Sequence, residues 1–150
     1  MIDLYNGDCL KVMDRLISDG VVVDAIITDP PYGTTACKWD SIIPFNEMWL
    51  RLNKLIKPNG AIVLFGSEPF SSALRMSNIK NYKYDWIWDK HIPRNFANAK
   101  HMPMSKHELI HVFNCKGFYY PQMTLRAQPI TVKNYATKGK SLRYPLNPAG

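Results

Sequence analysis

Val21-Val22-Val23-Asp24-Ala25-Ile26-Ile27-Thr28-Asp29-Pro30-Pro31-Tyr32 is an apolar, β-branched run that ends in a carboxylate, two prolines and an aromatic ring. A continuous run of this kind reads as a strand buried on both faces, as in parallel sheets. Two prolines remove two backbone donors and fix φ, so the strand stops and a stiff loop begins. In open α/β sheets ligands bind beyond the carboxyl ends of the strands. A stiff loop at that place holds Asp29 and Tyr32 in set directions and leaves the carbonyls of Asp29 and Pro30 free as acceptors.

Upstream, Ile2–Tyr5 reads as a short strand turned by Asn6-Gly7, and Asp8 stands as the N-cap of a helix to about Ser18. Cys9, Val12, Met13, Leu16 and Ile17 recur at helical spacing as its apolar face, and Asp19-Gly20 ends it. The order so far is β-α-β, which builds a parallel sheet. Downstream, Gly33–Asp40 is a polar loop holding Lys38 and Trp39, of the kind that closes over a site. Pro44 opens a helix with Phe45, Met48, Trp49, Leu52, Leu55 and Ile56 as its buried stripe, closed by Lys57-Pro58-Asn59-Gly60. Ala61–Phe65 is the next buried strand, and Gly66-Ser67-Glu68-Pro69 leads into a short helix with Phe70, Ala73 and Leu74. Tyr82–Trp88 alternates as a strand ending in Asp89-Lys90, and Leu109–Phe113 is another. The segment His91–Lys106 between them is too long for an ordinary connection, which favours a functional loop.

At 150 residues, 46% hydrophobic and 21% charged, the composition is that of one globular domain. No apolar run reaches the length of a membrane span, and the first residues lack the regions of a signal peptide. Three widely spaced cysteines (Cys9, Cys37, Cys115) fit reduced thiols, so the expectation is a cytoplasmic protein without a membrane partner. The charge is uneven. Residues 1–75 hold seven Lys/Arg against nine Asp/Glu, or −2, whereas residues 76–150 hold twelve against three, or +9. A basic half rich in aromatic and amide side chains suits a polyanion, because phosphate neutralisation releases counterions. Periodicity breaks after Phe113, so the expected division is a catalytic part at 1–113 and an irregular basic segment at 114–150, a candidate target-recognition region.

Asp29-Pro30-Pro31-Tyr32 after a hydrophobic strand resembles the catalytic motif of the amino-methylating DNA methyltransferases, in particular the adenine-N6 branch. Asn6-Gly7-Asp8-Cys9-Leu10 is similar to the family segment whose Asp lies beside the adenine end of S-adenosylmethionine. Trp88-Asp89-Lys90 followed by a basic loop, and His107-Glu108 before a strand, also have counterparts in the family. The resemblance implies a Rossmann-like, mostly parallel α/β sheet and methyl transfer from S-adenosylmethionine to the N6 amine of an adenine flipped out of double-stranded DNA. It implies Asp29, Pro30, Pro31 and Tyr32 as catalytic, and Asp8, Cys9 and Asp29 as cofactor-binding. Trp39, Lys90, Arg94, Asn95, Lys100, Arg126, Lys133, Lys138, Lys140 and Arg143 are the candidate DNA-binding residues. Bacterial or phage DNA methylation, as in restriction-modification, is the setting such enzymes serve.

His107-Glu108-Leu109-Ile110-His111 also matches the zinc-peptidase pattern His-Glu-x-x-His. That chemistry needs a helix, where residues i and i+4 face one metal. Strand-like flanks place Glu108 on the opposite side from His107 and His111, so no metal site is expected.

The permuted class with the catalytic motif first carries its glycine-rich cofactor loop after the recognition region, and this sequence has no such loop before Gly150. The central cofactor-binding strands are therefore expected to be absent and the sheet incomplete. The expectation is a partial or split methyltransferase, completed by another chain or by a homodimer. The alternatives are an inactive DNA-binding remnant, a zinc hydrolase, or a methyltransferase acting on RNA or a glutamine amide.

Overall fold

In the computed structural model, which describes residues 2–114 and 120–123, the opening run becomes strand β1 (Val23–Thr28). Before it, helix α1 covers Cys9–Ser18, with Asp8 accepting from the Lys11 N–H at 3.1 Å as the cap. Gly20, at φ 71°, takes the left-handed turn that releases the chain into β1. Helix α2 (Phe45–Leu55) begins directly after Pro44, and strand β2 spans Ile56–Gly66. Helix α3 (Phe70–Ser77), strand β3 (Tyr82–Arg94), a 3-10 turn (Phe96–Asn98) and strand β4 (Ser105–Phe113) follow. The chain divides after Phe118 into two units, Met1–Phe118 and Tyr119–Gly150. All the elements named here belong to the first. Arg126, Lys133, Lys138, Lys140 and Arg143 lie outside the described residues.

The α/β class holds, but the sheet, expected to be mostly parallel, is mixed among the described residues. Its order is β1-β2-β4-β3, with β1 and β2 parallel and both other pairs antiparallel. The reason is local: β3 and β4 form one hairpin, whose second arm slots between β2 and β3. Helices α1, α2 and α3 gather on a single face. Ile62 and Leu64 of β2 and Phe113 of β4 meet Met48, Trp49 and Leu52 of α2 and Phe70 and Leu74 of α3 there. Met13 of α1 and Ile26 of β1 pack against the same cluster.

Three sequence expectations fail for physical reasons. β1 is not buried on both faces: Ile26 points to the helices, and its neighbour Ile27 is 68% exposed on the face that no described helix covers. β1 is also an edge of the described sheet, and Ile2–Tyr5, expected as a short strand, forms none. Without a ladder partner a strand has no place for its backbone hydrogen bonds, and Ile2 and Leu4 stand 87% and 92% exposed. The turn expected at Lys57–Gly60 is instead a bulge within β2, where the register steps from Val23↔Ile56 to Ala25↔Ala61.

The segment expected as a loop from His91 to Lys106 is largely hairpin. β3 runs on to Arg94 and β4 starts at Ser105, with Arg94 opposite Ser105. The step from Asp89↔His107 to Arg94↔Ser105 leaves three extra residues on β3. Pro93 sits in that bulge, where its missing N–H costs no ladder bond, and His91 turns at φ 61°.

Candidate active site

Parallel β1 and β2 end on the same side of the sheet, and the catalytic-type motif leaves β1 there. α1 packs against α2, where its Asp14 meets Arg51 at 2.8 Å. Asp29, Pro30, Pro31 and Tyr32 line a cavity of about 290 Å3 together with Thr34, Thr35, Trp39 and Asp40. That volume is at the small end of ligand sites. Pro30 is buried and Asp29 exposed, so the rigid pair anchors one end of the loop while the carboxylate faces solvent. The Tyr32 hydroxyl donates to Asp29 Oδ1, which fixes the carboxylate and leaves Oδ2 free. The Tyr32 ring stacks on Phe70, the first residue of α3, at 5.1 Å between centroids and 29° between planes. Burial, then the hydrogen bond and charge of Asp29, push the phenol well above its usual range. Tyr32 therefore stays protonated and acts as a donor and a surface, not as a base.

Asp40 shapes the far wall. Its buried carboxylate accepts from the backbone N–H of Gly33 at 2.9 Å, Thr34 at 2.9 Å and Thr35 at 2.7 Å. Gly33, at φ 68° and against Ile42, makes the bend that aims these three N–H groups at one point. Gly33's hydrogen bond is the largest cause of a carboxyl held down at about 2, with burial opposing and Thr35 and Thr34 adding to it. Because the folded value lies below the unfolded one, near 3.9, the contribution is full above about pH 4 and fades as pH falls towards 2. Asp40→Asn is expected to lower the urea midpoint at neutral pH, and the gap to wild type should shrink between about pH 4 and pH 2. A gap independent of pH over that range would show that the charge is irrelevant. Asp40 lay in the sequence one residue past Trp39, but nothing there marked it as the clamp of its own loop.

The other expected site residues are placed as follows. Trp39, 74% exposed, stands at the cavity. Asp8 caps α1 and Cys9 is exposed, and neither lines the cavity. Lys90 is turned into the hairpin, where its Nζ lies 2.6 Å from Glu108 Oε2 and 4.1 Å from the centre of the Trp88 ring. It was expected as a DNA-binding residue, and the half-buried partner Glu108 draws it inward. Arg94 pairs with Glu108 Oε1 at 3.2 Å but stays 66% exposed, and Lys100 is exposed. Asn95 takes a left-handed φ of 70° at the start of the 3-10 turn.

The zinc-like pattern lies on β4, as a strand, with its members on opposite faces. Glu108 faces Lys90 and Arg94, whereas His111 faces α3. Among the described residues no three His, Cys, Asp or Glu side chains converge to hold a metal. His111, which the sequence offered only as a metal ligand, is fully buried, with Nδ1 2.6 Å from Asp85 Oδ1 and Nε2 2.8 Å from Ser71 Oγ. Gly66 permits this approach, since a Cβ there would lie 2.6 Å from Ser71 Oγ.

The cavity is thus a carboxylate, a proline carbonyl and a phenol ring at the end of a strand in an α/β sheet. A family model described as DNA methylase matches residues 23–149, most of the chain. The crystal structure of the M1.HpyAVI–SAM complex superposes with a TM-score of 0.62 at 26% identity, covering 84% of this chain and 64% of that one. A crystal structure of M1.HpyAVI matches with a TM-score of 0.55 at 24% identity, over 75% of this chain and 54% of that one, which speaks for the fold. No curated protein sequence matches. The chain spans less than two thirds of the M1.HpyAVI chain, yet the matched family model covers both the cavity and the sheet that presents it, and the chain belongs to the DNA methylase family.

Proposed function

We propose that this chain carries the catalytic part of a DNA adenine-N6 methyltransferase that draws its methyl group from S-adenosylmethionine. The observation that carries the reading is the single cavity that brings together the Asp29 carboxylate, Pro30 and the Tyr32 ring, with Asp29 and Tyr32 joined by a hydrogen bond. The exocyclic amine of adenine is a poor nucleophile because its lone pair is delocalised into the ring. Accepting its two hydrogens, at Asp29 Oδ2 and at the Pro30 carbonyl, returns electron density to nitrogen. Tyr32, backed by Phe70, offers a flat surface on which the base stacks with its lone pair aimed. Trp39 lies at the same cavity and suits the opposite face of the base. The amine nitrogen would attack the methyl carbon in line, the N–C bond forming as the C–S bond breaks and the sulfonium leaves as a neutral thioether, so positioning supplies much of the rate. The negative charge of Asp29 opposes the positive charge that develops on nitrogen. The product proton passes to water.

The described residues fit the methyl donor in part. S-adenosylmethionine supplies an activated methyl group on a cationic sulfonium, and the acidic Asp29 in the cavity suits that charge. Asp8, with one oxygen given to the α1 cap, is the candidate for the adenosine end. No glycine-rich loop lines the cavity among the described residues, and β1 is an unpaired edge. The reading is therefore a partial form, completed by another polypeptide segment or a second copy beside β1. Calorimetry of this chain with S-adenosylmethionine is expected to give no binding in the micromolar range. A micromolar Kd would overturn the partial-site reading.

The function itself is tested by incubating the chain with unmethylated mixed-sequence DNA and isotopically labelled S-adenosylmethionine at millimolar concentration. Digestion to nucleosides should place the label in N6-methyl-2′-deoxyadenosine. Label in N4-methyl-2′-deoxycytidine would shift the substrate to cytosine. Label in protein, or transfer to RNA and not to DNA, would overturn the proposal.

A further inference from the structure

The β3–β4 hairpin leaves the sheet on the side of the candidate site. The last residue of β1, Thr28, pairs with Leu64, and β2 ends at Gly66 opposite Leu109. Ser105–Glu108 and their β3 partners Trp88–Arg94 therefore extend beyond the last rung of β2, where Asp29–Tyr32 also stand. Glu108 and Arg94 act electrostatically on the Tyr32 phenol, so the base of the hairpin is within reach of the cavity.

The tip of this arm has an unusual composition. Residues 90–107 hold four Lys/Arg and no Asp or Glu. Below the tip Glu108 holds Lys90 at 2.6 Å and Asp89 meets Lys106 at 3.5 Å, whereas Arg94 shares Glu108 at 3.2 Å and stays 66% exposed. At the tip itself the left-handed Asn95 turns the chain so that Phe96 stands 83% exposed, with no ring partner among the described residues. Arg94 precedes it and Lys100 follows it, both exposed. The tip thus presents an exposed aromatic ring flanked by two exposed cations. The charge around it selects a polyanion, and a base stack is the polyanion that accepts a flat apolar ring.

We propose that Phe96 is a wedge that enters the duplex at the step vacated by the target adenine, while Arg94 and Lys100 hold the flanking phosphates. The proposal rests on the adenine-methyltransferase reading and adds the means of extrusion. A flipped base leaves a gap in the stack, and filling it lowers the cost of keeping the base out. The wedge then matters for paired DNA and not for a base that is already unpaired.

Two readouts test this. The first is labelled methyl transfer to mixed-sequence DNA, duplex against heat-denatured, with the intact chain. Phe96→Ala should lower kcat/KM on duplex about tenfold, on the scale of one lost stacking contact, and on denatured DNA less than twofold. Phe96→Leu, which keeps an apolar wedge, should recover most of the loss. The second needs no catalysis: the preference for duplexes with adenines opposite abasic sites over fully paired ones should increase in Phe96→Ala. Equal losses on both forms, or none, overturn the wedge. An unchanged DNA profile with an altered sedimentation coefficient would assign the tip to contact between copies and overturn it too. Failure of the function reading looks different, because Asp29→Ala would then leave transfer intact. Absence of DNA binding at any salt would remove both.

Discussion

Asp29→Ala is expected to lower methyl transfer about 100- to 1,000-fold without changing the fold. The size follows from losing one acceptor for the adenine amine together with a carboxylate charge, not committed to backbone N–H groups, that opposes the cation forming on nitrogen. Asp40, the other carboxylate at the cavity, is committed to three backbone N–H groups and cannot substitute. The fold should be indifferent, because Asp29 is exposed and its described partner is the Tyr32 hydroxyl, which has water as a replacement. Asp29→Asn separates the two losses. The amide keeps an acceptor for Tyr32 or for the base but carries no charge, so an intermediate loss is expected. Circular dichroism and urea midpoints should match wild type in both variants. Label incorporated at the wild-type rate by Asp29→Ala would remove Asp29 from the chemistry.

The site was legible because its signal is local. A β-branched run meeting two prolines marks a strand end in any context, and the carboxylate and ring beside it lie within four residues. α1 was legible for the same reason, with Asp8 as its cap and Gly20 beyond its end. So was α2, whose stripe Met48, Trp49, Leu52 and Leu55 is the buried one. Sheet order was not legible, because pairing is decided between distant segments. β4, the last described strand, inserts beside β2, and nothing in Leu109–Phe113 alone says which neighbour it takes. The apolar run Val21–Thr28 suggested a strand with both faces covered, but coverage depends on segments elsewhere, and here all three described helices choose one face. The hairpin was hidden by its own irregularities: Pro93 and the positive φ of His91 and Asn95 read as loop, although the ladder closes around them at Arg94↔Ser105. His111 was read as half of a metal motif, since sequence spacing cannot reveal that Ser71 and Asp85 converge on its two nitrogens.

His111→Ala carries the largest expected loss of stability, about 3 kcal/mol or more, seen as a lower urea midpoint with an unchanged slope. The imidazole is fully buried between Asp85 of β3 and Ser71 of α3, and its removal leaves a cavity and an unpaired buried hydroxyl. With Nδ1 donating to the Asp85 carboxylate, Nε2 accepts from Ser71. Asp85 keeps Arg75 at 3.0 Å, so its charge is not abandoned, which sets an upper limit on the loss. Ser71→Ala should cost only about 1 kcal/mol, because one neutral hydrogen bond goes and little volume with it. The three side chains have the connectivity of a hydrolytic triad, but Ser71 and His111 are both at 0% exposure and neither lines a cavity. Their work is to fasten α3 to the β3–β4 hairpin. α3 begins with Phe70, the ring behind Tyr32, so loosening the helix should reach the cavity. His111→Ala is therefore expected to lose methyl transfer per folded molecule even well below its unfolding transition, chiefly in kcat, as Tyr32 loses its backing. If stability falls and transfer per folded molecule does not, Phe70 holds Tyr32 through the hydrophobic core alone, and the buried histidine is an anchor without a share in the chemistry.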